Sequence, residues 1–220
     1  MTKIMTHSPS LRLYGMVPYD RSAKVRWVLT ELGVDFENRW LDREKREHET
    51  TDFLRLNPMG RIPVLQIDGD QVIFESGAIC AYLGDLFADR GIVPSVGTPE
   101  RPEYQQWMYF ASSTLDVFQT RVMVIEDIPP GEIQTTKLNA LQSDLRDALV
   151  ALDRALVKGS YLVANQFTVA DICASYHLYW CGLWPELDAI IQDFPRVVAY
   201  VKRMKDMPSS IKANVFSYKG

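Results

Sequence analysis

Residues 57–65 read Asn57-Pro58-Met59-Gly60-Arg61-Ile62-Pro63-Val64-Leu65, a glycine-containing loop that opens directly onto a strand whose first residue is proline. Proline has no N–H to give a ladder, so at a strand entrance it needs a reason. A cis Ile62–Pro63 bond provides one, since only X–Pro bonds adopt cis at a cost as low as about 0.5–1 kcal/mol. It would turn the Ile62 N–H and C=O outward, ready to pair with an extended peptide as an added strand does. A trans proline in an ordinary turn fits the same residues. Further along, Phe74-Glu75-Ser76-Gly77-Ala78-Ile79 is a strand running into a helix. Ser76 sits at the expected N-cap, where unpaired N–H groups and the helix dipole favour an anion. A ligand carboxylate there would bond the Ser76 hydroxyl and N–H, and Glu75 would pair with a neighbouring ammonium. The pair suits an α-amino acid group; without a ligand, Ser76 caps its helix and Glu75 favours the dipole.

Outward from this block, strand and helix signals alternate. Leu11-Arg12-Leu13-Tyr14 is a short alternating strand ending at Gly15. Val25, Val28, Leu29 and Leu32 then form a helical stripe that Gly33 stops. Asp35 to Leu41 reads as a second strand, and Glu44 to Thr51 as a charged, exposed loop or short helix. Pro63–Ile67 and Gln71–Phe74 are strands joined by Asp68-Gly69-Asp70, a hairpin turn in which glycine tolerates positive φ. Ile79, Tyr82, Leu83 and Leu86 mark a helix starting near Ser76. The order βαβ, loop, ββα makes a small α/β domain with a mixed sheet over 11–90, preceded by a loose tail over 1–10.

Composition changes after Arg90, where Gly91, Pro94, Gly97 and Pro99 punctuate a linker over 91–101. Past it, residues 102–220 read as an all-α bundle. Trp107 to Val122 forms one helical stripe, Pro129-Pro130-Gly131 breaks it, and Leu138 to Leu156 forms a longer one ended by Gly159. Thr168-Val169-Ala170-Asp171 looks like a capping box that opens a third helix. Pro195 opens a last helix and Pro208 ends it.

The chain has 220 residues, 47% of them hydrophobic, and a formal net charge of −4. No basic stripe is present, which argues against nucleic acid. No apolar run approaches the roughly 20 residues of a membrane helix. Cys80, Cys173 and Cys181 are too few and too odd for a disulfide framework, and no spacing among them suggests a metal. A reducing cytosol is the natural compartment.

The Asn57-Pro58-x-Gly60-x-Ile62-Pro63-Val64-Leu65 block and Glu75-Ser76-x-Ala78-Ile79 recur in one family, followed there by Tyr161-Leu162-Val163 and Phe167-Thr168-Val169-Ala170-Asp171-Ile172. In spacing and order the chain resembles the cytosolic glutathione transferases from Leu11 to about Met207. The resemblance implies a thioredoxin-like N-terminal domain, an all-helical C-terminal domain and a homodimer. It implies glutathione as co-substrate, with no metal. Ile62 would pair through its backbone with the cysteinyl part, with Pro63 structural, and Glu75 and Ser76 would hold the γ-glutamyl ammonium and carboxylate. His48 falls where relatives of the theta and bacterial type place a histidine toward the glycyl end, and Arg61 where a basic residue often helps. Thr168 and Asp171 would be structural. Each has a plain alternative: His48 as an exposed loop histidine, Arg61 as a solvated charge.

By the same resemblance, the residue that activates the thiol lies in the loop after the first strand, Gly15-Met16-Val17-Pro18-Tyr19-Asp20-Arg21-Ser22. A thiol with a pKa of roughly 8.5 is mostly protonated at neutral pH, and lowering it by two units takes about 2.7 kcal/mol. A hydroxyl aimed at the sulfur beside a helix N-terminus supplies part of this. Counted back from Val25-Arg26, Tyr19 occupies the slot of the catalytic serine in serine-type relatives. Ser22 lies at the expected start of the first helix, and Tyr14 sits near the slot of tyrosine-type relatives. Tyr19 ranks first and Ser22 second, with Arg21 as a nearby positive charge. Tyr19 could instead pack as a loop residue and Ser22 act as a cap. The loop has no cysteine, which disfavours members that form mixed disulfides with glutathione.

The family would place an apolar electrophile between the domains, near Met16, Val17, Pro18, Trp107, Tyr109, Phe110 and Phe118. The expected function is a transferase that conjugates the glutathione thiolate to a small apolar electrophile, in a detoxification role. Two alternatives stand beside it: a non-catalytic binding or regulatory protein of the same fold, and a glutathione-dependent isomerase, dehalogenase or peroxidase.

Overall fold

The computed structural model describes residues 9–218, so all but the end of the tail expected over 1–10 lies outside the described residues. The chain divides into two compact units. The first comprises residues up to Leu86 together with a returning segment that begins at Ser209, and the second runs from Phe87 to Pro208. The all-α region expected over 102–220 therefore ends earlier, because its last residues are anchored on the first unit's own helix.

The first unit is built on strands β1 (Leu11–Gly15), β2 (Glu37–Trp40), β3 (Val64–Ile67) and β4 (Gln71–Phe74) in the order β2-β1-β3-β4. β1 runs parallel to β2 and antiparallel to β3, and β3 is antiparallel to β4. With helices α1 (Ser22–Glu31), α2 (Thr51–Leu56) and α3 (Ser76–Leu86), this is a thioredoxin-like domain. Strand alternation sorts β1: Leu11 and Leu13 are buried, while Arg12 and Tyr14 point to the other face. On that other face Tyr14, Met16, Leu56, Ile62 and Val72 pack around Leu41, Phe53 and Val64. The stripe Val25, Val28, Leu29 and Leu32 of α1 is fully or nearly fully buried. Gly33 follows with φ 64°, the left-handed conformation that suits glycine at a helix end. Asp68 and Gly69 take positive φ in the hairpin turn between β3 and β4.

The segment expected to be charged and exposed contains a single 3₁₀ turn at Glu47–Glu49, then α2, whose start is capped by the Thr50 hydroxyl accepting from the Phe53 N–H at 3.4 Å.

The second unit is helical: α4 (Arg101–Phe110), α5 (Asp116–Glu126), α6 (Glu132–Leu156), α7 (Val169–Cys181), α8 (Pro185–Ile191) and α9 (Pro195–Lys205). The single stripe expected from Trp107 to Val122 is interrupted by a π-helical turn at Ala111–Leu115. Ser112 and Ser113 there donate back to the carbonyls of Met108 (3.1 Å) and Tyr109 (2.7 Å), contacts of the kind that loosen a helical ladder. On α6 the buried residues are Leu141, Leu145, Ala148, Leu149, Leu152 and Leu156, every three or four positions. Helix α7 is buried along nearly its whole length, from Val169 to Leu178.

Two short helices were not expected. Pro185 opens α8, whose seven residues are too few to show a period. Pro208, read as a stop, is instead the first residue of α10 (Pro208–Lys212), where a missing N–H costs nothing.

Candidate active site

Sheet register brings the singled-out segments of the first unit to one end of the sheet. Tyr14 lies opposite Val64, Val64 opposite Phe74, and Gly15 opposite Trp40. The loop leaving β1, the Ile62–Pro63 entrance to β3 and the Glu75–Ser76 exit from β4 therefore sit side by side.

The Ile62–Pro63 bond is cis. Among the described residues no hydrogen bond engages the Ile62 amide or carbonyl. The loop ahead of it is organised by buried Asn57, whose Nδ2 donates to the Arg61 carbonyl at 2.7 Å while its Oδ1 accepts from the Met59 N–H at 3.1 Å. Asn57 belongs to the sequence motif without an expected role of its own; an amide side chain directly before Pro-x-Gly is the sequence signal for this loop-organising part. Gly60 adopts φ 61°, and a Cβ there would lie 3.1 Å from the His48 carbonyl oxygen, so glycine lets the His48 segment close on this loop. The His48 side chain is largely covered, with Nε2 3.3 Å from Glu49 Oε1 and a buried Nδ1 that has no hydrogen-bond partner. Arg61 is exposed.

Glu75 takes φ 71°, a conformation that costs a residue with a Cβ of order 1–3 kcal/mol. It turns the chain sharply from β4 into α3 and leaves its own side chain exposed. Ser76, the first residue of α3, is 5% exposed, and its hydroxyl has no hydrogen bond among the described residues. An accessible carboxylate and an unengaged hydroxyl at a helix start thus stand next to each other on a strained residue.

The loop after β1 is held from below. Asp20 Oδ2 accepts from the N–H of Met16 (2.7 Å) and Val17 (2.8 Å), and its Oδ1 from the N–H of Ser22 (2.7 Å). Arg26, buried on α1, donates to Ser22 Oγ at 2.8 Å and to the Pro18 carbonyl, and its guanidinium lies 5.1 Å from the Trp40 ring centre. Neither Asp20 nor Arg26 was singled out from the sequence, though the Asp-x-Ser spacing is that of a side chain taking a helix-start N–H. Ser22 is fully buried, and Gly15 is pressed against it: a Cβ on Gly15 would fall 2.5 Å from Ser22 Oγ. Tyr19 is half-buried, its ring edge against that of Tyr218 at 5.0 Å and 75°. The Tyr14 hydroxyl is 3.0 Å from Gln66 Oε1 and its ring packs on Phe53, so it belongs to the apolar cluster below the sheet.

In the second unit Trp107 and Phe118 are buried, Phe110 is half-buried against Trp107, and Tyr109 is 73% exposed. Asp171 caps the start of α7: its Oδ2 accepts from the Thr168 N–H (2.8 Å) and Oγ1 (3.1 Å), and its Oδ1 from the Leu162 N–H (3.0 Å) and the Tyr200 hydroxyl (3.1 Å). All three cysteines are buried, and burial pushes the Cys181 thiol up to about 12.

Two family models match the chain, the glutathione S-transferase N-terminal domain over residues 9–85 and the C-terminal domain over 135–203. Glutathione S-transferase 3 of Zea mays is 31% identical over 167 residues, 73% of each chain. This chain belongs to the glutathione S-transferase family. The solved structure of the family's URE2P6 from Phanerochaete chrysosporium, in complex with oxidized glutathione, superposes with TM-score 0.82 at 27% identity, covering 95% of this chain and 96% of that one. A glutathione transferase from Methylococcus capsulatus gives 0.78 at 29% identity, over 92% and 96%. A further relative, elongation factor 1-gamma of Prunus avium, is 30% identical over 191 residues, 84% of this chain but 42% of that protein.

Proposed function

We propose that the chain binds glutathione at the common end of the first unit's sheet and transfers its thiolate to a small apolar electrophile. The observation that carries this reading is Glu75–Ser76: a strained turn that leaves a carboxylate exposed beside an unengaged serine hydroxyl at a helix start. That is a pairing for an ammonium and a carboxylate on one carbon. Ile62 offers an unpaired amide and carbonyl alongside for the cysteinyl main chain. His48 and Arg61 are assigned to the glycyl end.

For the thiol, we rank Tyr19 ahead of Ser22 and Tyr14. The Ser22 hydroxyl is buried and accepts from Arg26, and the Tyr14 hydroxyl is taken by Gln66. Tyr19 lies in the loop with its side chain part exposed. Its phenol would donate to the sulfur and favour the thiolate, leaving positioning and charge stabilisation to do the rest. Family membership supports a homodimer in the cytosol, which light scattering at micromolar concentration tests.

A second reading is favoured by the elongation factor 1-gamma relative: a glutathione transferase fold used for binding without turnover. Calorimetry with glutathione and a conjugation assay with a chlorodinitrobenzene on the same sample separate the two. Binding with turnover that Tyr19→Phe lowers supports the transferase. Absence of binding overturns it in favour of the second reading, and binding without turnover on a panel of electrophiles points to related glutathione chemistry.

A further inference from the structure

The chain returns to its first unit at Ser209, and it is anchored there on α1 and the loop before it. Trp27 Nε1 donates to Ser209 Oγ at 2.9 Å. The buried Trp27 ring meets Phe216 edge-on at 5.5 Å. Arg26 Nε reaches the Ala213 carbonyl at 3.4 Å, while the same guanidinium holds Pro18 and Ser22. Val215 is fully buried. These anchors bring Tyr218 against Tyr19, ring edge to ring at 5.0 Å and 75°.

Asp20 and Arg26 fix the main chain of this loop, through Met16, Val17, Pro18 and Ser22. The Tyr19 side chain is met by the ring of Tyr218, and an edge-to-face pair constrains both separation and tilt. Tyr218 is itself 39% exposed, so the rest of its surface is covered where the docked segment brings it against Tyr19.

We propose that Tyr218 is a positioning residue for Tyr19, the docked C-terminal segment holding the Tyr19 phenol at the angle from which it meets the glutathione thiol. This rests on the reading of Tyr19 as the thiol-activating residue. The segment is then part of the catalytic apparatus, although it is nearly two hundred residues away along the sequence.

The test uses the full chain with Tyr218→Ala, Tyr218→Phe and Tyr19→Phe. Four quantities are read: titration of bound glutathione by thiolate absorbance, kcat and KM with a chlorodinitrobenzene, glutathione affinity by calorimetry, and Tm. Tyr218→Ala is expected to raise the bound thiol's pKa and to lower kcat by about two- to tenfold, the span of one edge-to-face pair. Glutathione affinity measured at a pH below the bound thiol's pKa, where the thiol form binds, should stay unchanged. Tyr218→Phe, which keeps the ring, should restore both titration and kcat. If Tyr218→Ala also melts earlier, titration well below its Tm still decides, with the Phe variant as control. Wild-type titration and kcat in Tyr218→Ala, with Tyr19→Phe impaired, overturn the positioning role and leave Tyr19 standing. A Phe variant as impaired as the Ala variant overturns the ring contact. Wild-type titration in Tyr19→Phe removes both readings.

Discussion

Asp20 takes the N–H of Ser22 at 2.7 Å with one carboxylate oxygen while the other holds the N–H groups of Met16 and Val17. One side chain therefore both starts α1 and shapes the loop ahead of it. Asp20→Ala leaves three main-chain donors to water in a part-buried loop. The expected loss is about 2–4 kcal/mol in urea unfolding, since hydrogen bonds to a charged acceptor are worth about 1.5–3 kcal/mol each and partial hydration returns some of it. Asp20→Asn, which keeps one carbonyl oxygen, should fall between.

Gly15 and Ser22 form a second coupled pair. An alanine Cβ at Gly15 would stand 2.5 Å from Ser22 Oγ and 3.2 Å from the Trp40 ring. Gly15→Ala should destabilise by about 1–3 kcal/mol through overpacking. Ser22→Ala removes the acceptor of Arg26 Nη1 and should cost about 1–3 kcal/mol on its own. In the double variant the worst clash is gone, so its loss should be smaller than the sum of the two. Strict additivity in denaturant melts would show that the loop shifts rather than clashes.

Glu75 predicts a trade between stability and binding. Its φ of 71° is easy for glycine and costly for glutamate. Glu75→Gly should raise stability by about 0.5–1 kcal/mol, the strain relief exceeding glycine's extra unfolded-state entropy. It should also weaken glutathione binding, because the carboxylate is lost. Ser76→Ala should weaken binding by about tenfold, the scale of one charge-assisted hydrogen bond. Calorimetry on both variants checks the site; unchanged affinity in both would remove this pair from it.

The sheet and the long helices were legible because their signals are periodic. Leu11 and Leu13 alternate, and the leucines of the 25-residue α6 repeat every three or four residues from Leu138 to Leu156. Turns with a required chemistry were legible too, as at Asp68-Gly69 and at Thr168 with Asp171. What escaped lacked a period or depended on distant partners. Helix α8 has seven residues, and the π turn follows from two serines whose hydroxyls choose the helix carbonyls. Nothing in residues 209–218 announces a return to α1, because the deciding partners, Arg26 and Trp27, lie 187 and 182 positions away. In the candidate site the motif residues could be read off, whereas the supports Asp20, Arg26 and Asn57 could not. Their part lies in which main-chain atoms they reach once folded.

Asp171 supplies a pH dependence whose direction follows from burial. Desolvation raises its carboxyl from 3.8 to about 6, against the opposing hydrogen bonds from Leu162, Thr168 and Tyr200. Between about pH 4 and pH 6 the folded chain thus holds a proton that the unfolded chain has released. Stability attributable to Asp171 is fully present below the unfolded value near 3.8 and falls as pH rises through about 6, by about 3 kcal/mol in all. Asp171→Asn cannot titrate, so it lacks this decline. It also turns an NH₂ toward the N–H and hydroxyl of Thr168, which now both donate to one carboxylate oxygen, so it is less stable throughout. The stability gap between wild type and Asp171→Asn should be widest near pH 4.5 and narrow toward pH 7.5. Other titrating groups cancel in that difference. Urea unfolding of both proteins across the range measures it, and a gap that widens with pH would mean that the four hydrogen bonds, rather than burial, set the ionisation of Asp171.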